Sequence, residues 1–346
     1  MKLRETIHSM TRRCNGWDYH SPSIYMITFS LADRSKPLLG DLVIHPPEHI
    51  PPSPYEIKAH IEHSELGKAV LEIWKKLPQA FPEITPLLLQ LMPEHLHGIL
   101  HVTRQMPKHL GQIICSFKGK CSNAYWDIMP EMRKISLFED DYQDTILFRK
   151  GQLDNMLSYA LDNPRRLAVK RMFPNLFQEQ RLIQFAGGFF SGIGNHFLLD
   201  YPVFRQVQVS RYGFYCADFD KIKRSFMTNI QFGTALVSPC ISEGERKIAY
   251  EAIEHNVPVI ILKNNGFDKY YKPSGKLFDA CAAGRLLMLA PSAWKYSYSN
   301  EKMTREKACV LNALAQRICG NGACEISYNG YVPPNLDQLV QEALVP

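Results

Sequence analysis

Apolar and polar positions follow two periods in this chain, and the change from one to the other marks its elements. Ile24-Tyr-Met-Ile-Thr-Phe-Ser-Leu31 is rich in β-branched and aromatic residues and predicts a strand. The polar stretch Ala32–Pro37 follows as a turn, and Leu42-Val43-Ile44 is expected to be the strand's partner. A cluster of prolines (Pro46, Pro47, Pro51, Pro52 and Pro54) reads as a loop. Ile57, Ile61, Leu66, Val70 and Ile73 then fall at helical spacing, predicting a helix from Tyr55 to Lys76 that ends before Pro78. Leu87–Gln90 and Gly98–Val102 return to strand character, as two strands or one interrupted strand that carries His95 and His97. Leu110–Trp126 is again helical, with Ile113, Ile114, Phe117 and Cys121 on its apolar side. A shorter helix is expected over Gln152–Asp162, stopped by Pro164. Strands and helices in this order predict an α+β sandwich with an antiparallel sheet, ferredoxin-like in its layering, for residues 1–177.

The second half has a different texture. Thr234–Ser238, Val257–Leu262 and Leu286–Ala290 are continuous apolar runs, the pattern of strands buried on both faces. Helical segments Glu243–His255 and Gly275–Ala283 lie between them. That alternation predicts an α/β, Rossmann-like domain over residues 205–346. Residues 178–204, with Gly187, Gly188, Gly192 and Gly194 among phenylalanines, are expected to form only a junction.

Composition narrows the class. No apolar run is long enough to cross a bilayer, which excludes a membrane-spanning role. The start, Met1-Lys2-Leu3-Arg4-Glu5, lacks the apolar core of a signal segment, so a cytoplasmic location is expected. Nine cysteines without Cys-x-x-Cys spacing fit reduced thiols; Cys319 and Cys324, across Gly320-Asn321-Gly322, read as cysteines of a glycine turn, with a metal or redox pair as the alternative. A net charge of +6 permits nucleic-acid binding without requiring it.

The candidate chemistry begins at His95-Leu96-His97. In a strand, residues i and i+2 share a face, so both imidazoles stand together while Leu96 points to the other side. Two histidines so placed form half of a divalent-metal site. Downstream, Tyr159 and Asn163 lie at i and i+4 on the rim of the Gln152–Asp162 apolar stripe, where a reactive hydroxyl would be reachable.

Five blocks carry a resemblance across the first half: Trp17-Asp-Tyr-His-Ser-Pro-Ser-Ile-Tyr-Met-Ile-Thr28, Pro37-Leu-Leu-Gly-Asp41, Met92-Pro-Glu-His-Leu-His-Gly-Ile-Leu100, Leu110-Gly-Gln-Ile-Ile-Cys-Ser-Phe-Lys118 and Tyr159-Ala-Leu-Asp-Asn163-Pro164. In order and spacing they resemble the single-tyrosine HUH transposases, in particular the REP-associated tyrosine transposase group. The resemblance implies a metal-dependent enzyme that nicks and joins single-stranded or hairpin DNA, possible as a homodimer. Tyr159 would be the nucleophile, and His95, His97 and Asn163 would hold Mg²⁺ or Mn²⁺. Such a metal keeps open positions for phosphate oxygens, and the tyrosine would form a 5′-phosphotyrosine that stores the energy for rejoining. Lys118, Lys120, Arg165 and Arg166, with Lys170 and Arg171, are the expected DNA phosphate contacts. The chain departs from the family at Glu94, where asparagine is usual, and at Asp144-Thr145, where a basic residue or histidine commonly follows the aspartate.

Val209-Ser-Arg211, Val237-Ser238, Val257-Pro-Val-Ile-Ile-Leu-Lys-Asn-Asn-Gly-Phe-Asp268, Tyr270-Tyr-Lys-Pro273 and Leu286–Pro291 remotely resemble the DNA-processing protein A (Smf) group. That likeness implies an accessory role in DNA binding. Ser238-Pro-Cys-Ile-Ser-Glu-Gly-Glu245 keeps little of a glycine-rich phosphate cradle, and Pro239 and Glu243 stand against one. Two other functions compete with the transposase reading: a domesticated, non-transposing hairpin-binding protein, and a nucleotide-metabolising enzyme centred on the second half.

Overall fold

The computed structural model describes residues 14, 16–45, 57–228, 230, 233–297, 302–320 and 326–345. Of the sequence expectations, the proline cluster, Tyr55 and Cys324 lie outside them. The described residues divide into two compact units, the first running to Ala168 and the second beginning at Val169. Among the described residues no helix is long and apolar enough to cross a membrane.

The first unit opens with β1 (Ser23–Ser30), β2 (Gly40–Ile44) and β3 (Ala59–His63), then α1 (Glu65–Lys75) and the single turn α2 (Leu77–Ala80). β4 (Ile84–Leu91), β5 (His95–Val102), α3 (Leu110–Ile128), β6 (Gln143–Ile146) and α4 (Gln152–Met172), whose last turn passes into the second unit, follow. Its main sheet has the order β4-β5-β1-β6, with every neighbouring pair antiparallel. Alternation along β5 sends Leu96, Leu100 and Val102 into a core shared with Phe29, Trp74 and Phe117. Gly98 is required there, because a Cβ would lie 2.3 Å from Cη2 of Trp74. α1 and α3 therefore pack on the Leu96 face, and the histidines look the other way.

Three expectations for this unit change. Leu42–Ile44 pairs with β3, not with β1, whose neighbours are β5 and β6. The helix expected from Tyr55 begins only at Glu65. Ile57 and Ile61 are four apart, a spacing that fits either period, and the run Ala59–His63 is held as a strand by β2. Ser64 then caps α1, its Oγ accepting from Gly67 N at 3.0 Å. Finally, Pro164 does not stop α4 but sits inside it. Proline forfeits one helical hydrogen bond, yet burial of Ala160, Pro164 and Ala168 at successive i+4 positions carries the helix on.

The second unit holds β7 (Gln180–Phe185), β8 (Gly188–Gly194), β9 (Val203–Gln206), α5 (Arg211–Phe214), α6 (Phe219–Thr228) and β10 (Thr234–Ser238). It continues with α7 (Glu243–Glu254), β11 (Val259–Leu262), α8 (Lys276–Ala282), β12 (Leu286–Pro291), α9 (Arg305–Cys319) and α10 (Leu336–Leu344). The mixed sheet has the order β7-β8-β12-β11-β10-β9; β9 to β12 are parallel, and β8 runs antiparallel to β12. Most of the segment expected as a junction is thus part of this sheet. Its glycines are not linker glycines: a Cβ on Gly194 would meet the Leu286 carbonyl oxygen at 2.2 Å, so glycine lets β8 lie close to β12.

Candidate active site on the histidine face

The antiparallel register of β1 and β5 sets Thr28 directly opposite His97 and Ser30 opposite His95. Opposed residues share a face, so Thr28, His95 and His97 project together. His97 Nδ1 lies 2.8 Å from Thr28 Oγ1. Donation from Nδ1–H to that hydroxyl would leave the Nε2 lone pair available, the arrangement by which an outer partner orients an imidazole ligand. Only 6% of His97 is exposed, and burial, reinforced by neighbouring His95, pushes its pKa down to about 3. The ring is therefore neutral at physiological pH, as a ligand must be. His95 is more open; its ring centroid is 5.0 Å from that of His97, and its Nδ1 lies 3.3 Å from a Glu94 carboxylate oxygen.

α4 brings Tyr159 to this face. Its ring stands edge-on to His97, with centroids 5.8 Å apart, and 39% of the residue is exposed. The Arg166 guanidinium sits 5.6 Å from the Tyr159 ring centroid. Asn163 is half-buried one turn on, and its Nδ2 donates to the Tyr159 carbonyl at 3.0 Å. That contact leaves the amide oxygen as the atom with which Asn163 could meet a cation. Among the described residues no three histidine, cysteine, aspartate or glutamate side chains gather as a metal cluster. A cation here would thus rest on two imidazoles and an amide oxygen, a donor set that suits Mg²⁺ or Mn²⁺ only with further oxygens from phosphate or water.

The other expected DNA contacts are distributed differently. Lys118 and Lys120 belong to α3, which packs on the sheet face opposite the histidines. The Lys118 ammonium donates to the carbonyls of Glu139, Asp140 and Asp141 at 2.7, 3.1 and 2.9 Å, so all three of its N–H groups are used within the chain. Burial lowers its pKa to about 8. Lys120 is exposed. Arg165 forms a two-pronged pair with Asp162, at 2.5 and 2.7 Å. Arg166 is in contact with the Tyr159 ring. Thr28 and Gln90, which faces His97 from β4, were not flagged by sequence; only the strand pairing reveals them.

No protein-family model matches the chain. An uncharacterized protein of Haemophilus influenzae is 27% identical over 115 residues, covering 33% of this chain. The chain spans about half of that relative's length, 49%. Among solved structures, a REP-associated tyrosine transposase bound to a REP hairpin superposes with a TM-score of 0.31 at 12% identity, covering 44% of this chain and 72% of the other. A candidate transposase from Deinococcus radiodurans gives 0.26 at 13% identity, covering 44% and 96%. Neither superposition bears on the roles of individual residues.

Proposed function

We propose that the first unit is a metal-dependent nuclease and strand transferase for single-stranded or hairpin DNA, with Tyr159 as nucleophile. The observation that carries this reading is the contact of Tyr159 with His97 on one face of one chain. A tyrosine hydroxyl beside a buried, neutral and oriented His97, with the His95 imidazole next to it, places a nucleophile next to groups able to hold a cation. The fold supports it: with the β2–β3 pair and the single turn α2 as insertions, β1, α1, β4, β5, α3 and β6 come in the order β-α-β-β-α-β with the sheet order β4-β5-β1-β6, which suits a ferredoxin-like unit.

His95, His97 and the Asn163 amide oxygen would hold a divalent cation, which would offset negative charge at the scissile phosphate. The Tyr159 oxygen, its proton lost to solvent, attacks phosphorus and forms a 5′-phosphotyrosine. The bond from phosphorus to the 3′ oxygen breaks, and that oxygen leaves as a 3′-hydroxyl. Attack by a 3′-hydroxyl on the phosphotyrosine reverses these changes and joins strands without an external energy source. Arg166 would contact phosphate beside the nucleophile. The second unit is read as a Rossmann-like accessory domain, supported by its four parallel strands and intervening helices.

The test is cleavage of 5′-labelled single-stranded and hairpin oligonucleotides by the full chain with Mn²⁺ or with EDTA. Cleavage that requires Mn²⁺ and disappears in Tyr159→Phe supports the reading. Binding without cleavage across a broad oligonucleotide pool would replace it with the domesticated hairpin-binding protein.

A further inference from the structure

A cleft of about 560 Å³ opens in the second unit where β9 and β10 end, beside the first turn of α7 and one flank of α9. Its size is that of a small-molecule site, and the carboxyl ends of parallel strands are where open α/β sheets place their ligands. A helix N-terminus in that position ordinarily invites phosphate. Here the invitation is already taken. The Glu245 carboxylate accepts from the backbone N–H groups of Ile241 at 2.7 Å, Ser242 at 3.3 Å and Val209 at 3.5 Å. Ser242 Oγ in turn accepts from Glu245 N at 3.1 Å, closing a capping box. Arg246 Nη1 donates to the carbonyls of Cys240 and Ile241 at 3.2 and 3.1 Å. The groups that would grip a phosphate are therefore engaged by the chain itself.

What the cleft leaves unanswered is an acceptor. Asn312, on α9, lines the cleft and is 4% exposed, and its Oδ1 has no hydrogen-bond partner among the described residues. An orphaned buried oxygen is destabilising, and a ligand donating N–H would relieve it. Aromatic side chains complete the walls: Phe214, Tyr215, which is 71% exposed, and Tyr328. Rings of this kind stack on planar groups. The charged side chains of the lining are Glu243, Glu245 and Arg246. Burial raises the Glu245 carboxyl to about 7, so the cleft carries little net charge near neutrality.

We infer that this cleft binds an uncharged, planar heteroaromatic ring bearing N–H donors, the chemistry of a nucleobase or nucleoside rather than of a nucleotide. Asn312 Oδ1 would accept the ring's N–H, Tyr215 and Tyr328 would flank its faces, and no phosphate would be held at α7. The inference is independent of the histidine face, because its residues lie wholly in the second unit.

The experiment is calorimetric titration of the full chain with adenosine, guanosine, cytidine and thymidine, and then with their 5′-monophosphates. At least one nucleoside should bind, and its monophosphate should bind about tenfold more weakly or not at all. Asn312→Leu should weaken the nucleoside about tenfold while its melting temperature stays level or rises, since it removes an unsatisfied buried oxygen. Tyr215→Ala, at an exposed position that folding tolerates, should weaken it comparably and supplies the readout if Asn312→Leu does not fold. Absence of binding by all four nucleosides, monophosphates that bind as tightly as nucleosides, or both variants binding like wild type would each overturn the inference.

Discussion

The Tyr159 ring meets the His97 ring edge-on, at 5.8 Å between centroids and 68° between planes. One side chain comes from α4 and the other from a central strand, so the contact depends on the helix and the sheet holding their places. It puts the proposed nucleophile and a proposed ligand within one chain.

If Thr28 orients His97 through the 2.8 Å contact, then Thr28→Val keeps the side chain's shape and removes the oxygen. Outer partners of metal-bound histidines are worth about 10–100-fold in affinity. Calorimetric titration with Mn²⁺ should show a loss of that size with little change in melting temperature. Unchanged Mn²⁺ affinity would mean that Thr28 does not serve the imidazole as a ligand.

The pH dependence of stability follows from His97. Its folded pKa, about 3, lies below the ordinary 6.5, so the unfolded chain takes up a proton first as pH falls. Stability is thus fully present above 6.5 and is lost as pH drops toward 3. Urea titrations in EDTA between pH 7 and 4 should show this loss in the transition of the first unit, and His97→Gln should flatten it. An equally steep loss in His97→Gln would assign the effect to other groups.

Gly98→Ala should destabilise the first unit by about 1–3 kcal/mol, the usual cost of overpacking. The added methyl would fall 2.3 Å from the Trp74 ring, itself buried in the core. Equilibrium urea unfolding measures it, and wild-type stability would show that Trp74 has room to move.

Lys118 and Arg166 should separate cleanly. Lys118→Met removes the ammonium that joins three carbonyls and should cost about 1–3 kcal/mol of stability with DNA affinity unaltered. Arg166→Ala should leave stability nearly intact, weaken oligonucleotide binding and reduce its salt slope by about one. Melting curves and salt-dependent binding isotherms decide, and the reverse pattern would exchange their roles.

The legible parts of the fold are those where one period dominates. His95 and His97 stand two apart beside a short apolar run, which suits a strand, α3 has a full apolar face, and β10, β11 and β12 are short apolar runs bounded by turns. Ile57 and Ile61 misled because a spacing of four satisfies both periods, and only the pairing of β3 with β2 decides between them. Pro164 misled because a local breaker was outweighed by burial along Ala160, Pro164 and Ala168. β7 and β8 stayed hidden because glycine at 188, 192 and 194 dilutes strand character while allowing close packing. In the site, the shared face of the two histidines and the i, i+4 pairing of Tyr159 with Asn163 follow from local spacing, whereas the approach of Tyr159 to His97 depends on where α4 packs. Thr28 does not, since its role depends on which strand lies beside β5. Nor does sequence show which side of the sheet α3 covers, or that the Lys118 ammonium donates to three carbonyls.

The central claim is that Tyr159 becomes covalently bonded to DNA. The direct test is to incubate the full chain with hairpin oligonucleotides and Mn²⁺, digest with trypsin and nuclease, and search by mass spectrometry for a nucleotide on the peptide spanning residues 151–165, in which Tyr159 is the one tyrosine. The account predicts a phosphotyrosine-linked nucleotide at Tyr159, lost with EDTA and absent from Tyr159→Phe. DNA cleavage that persists in Tyr159→Phe, or an adduct on another residue, would contradict it.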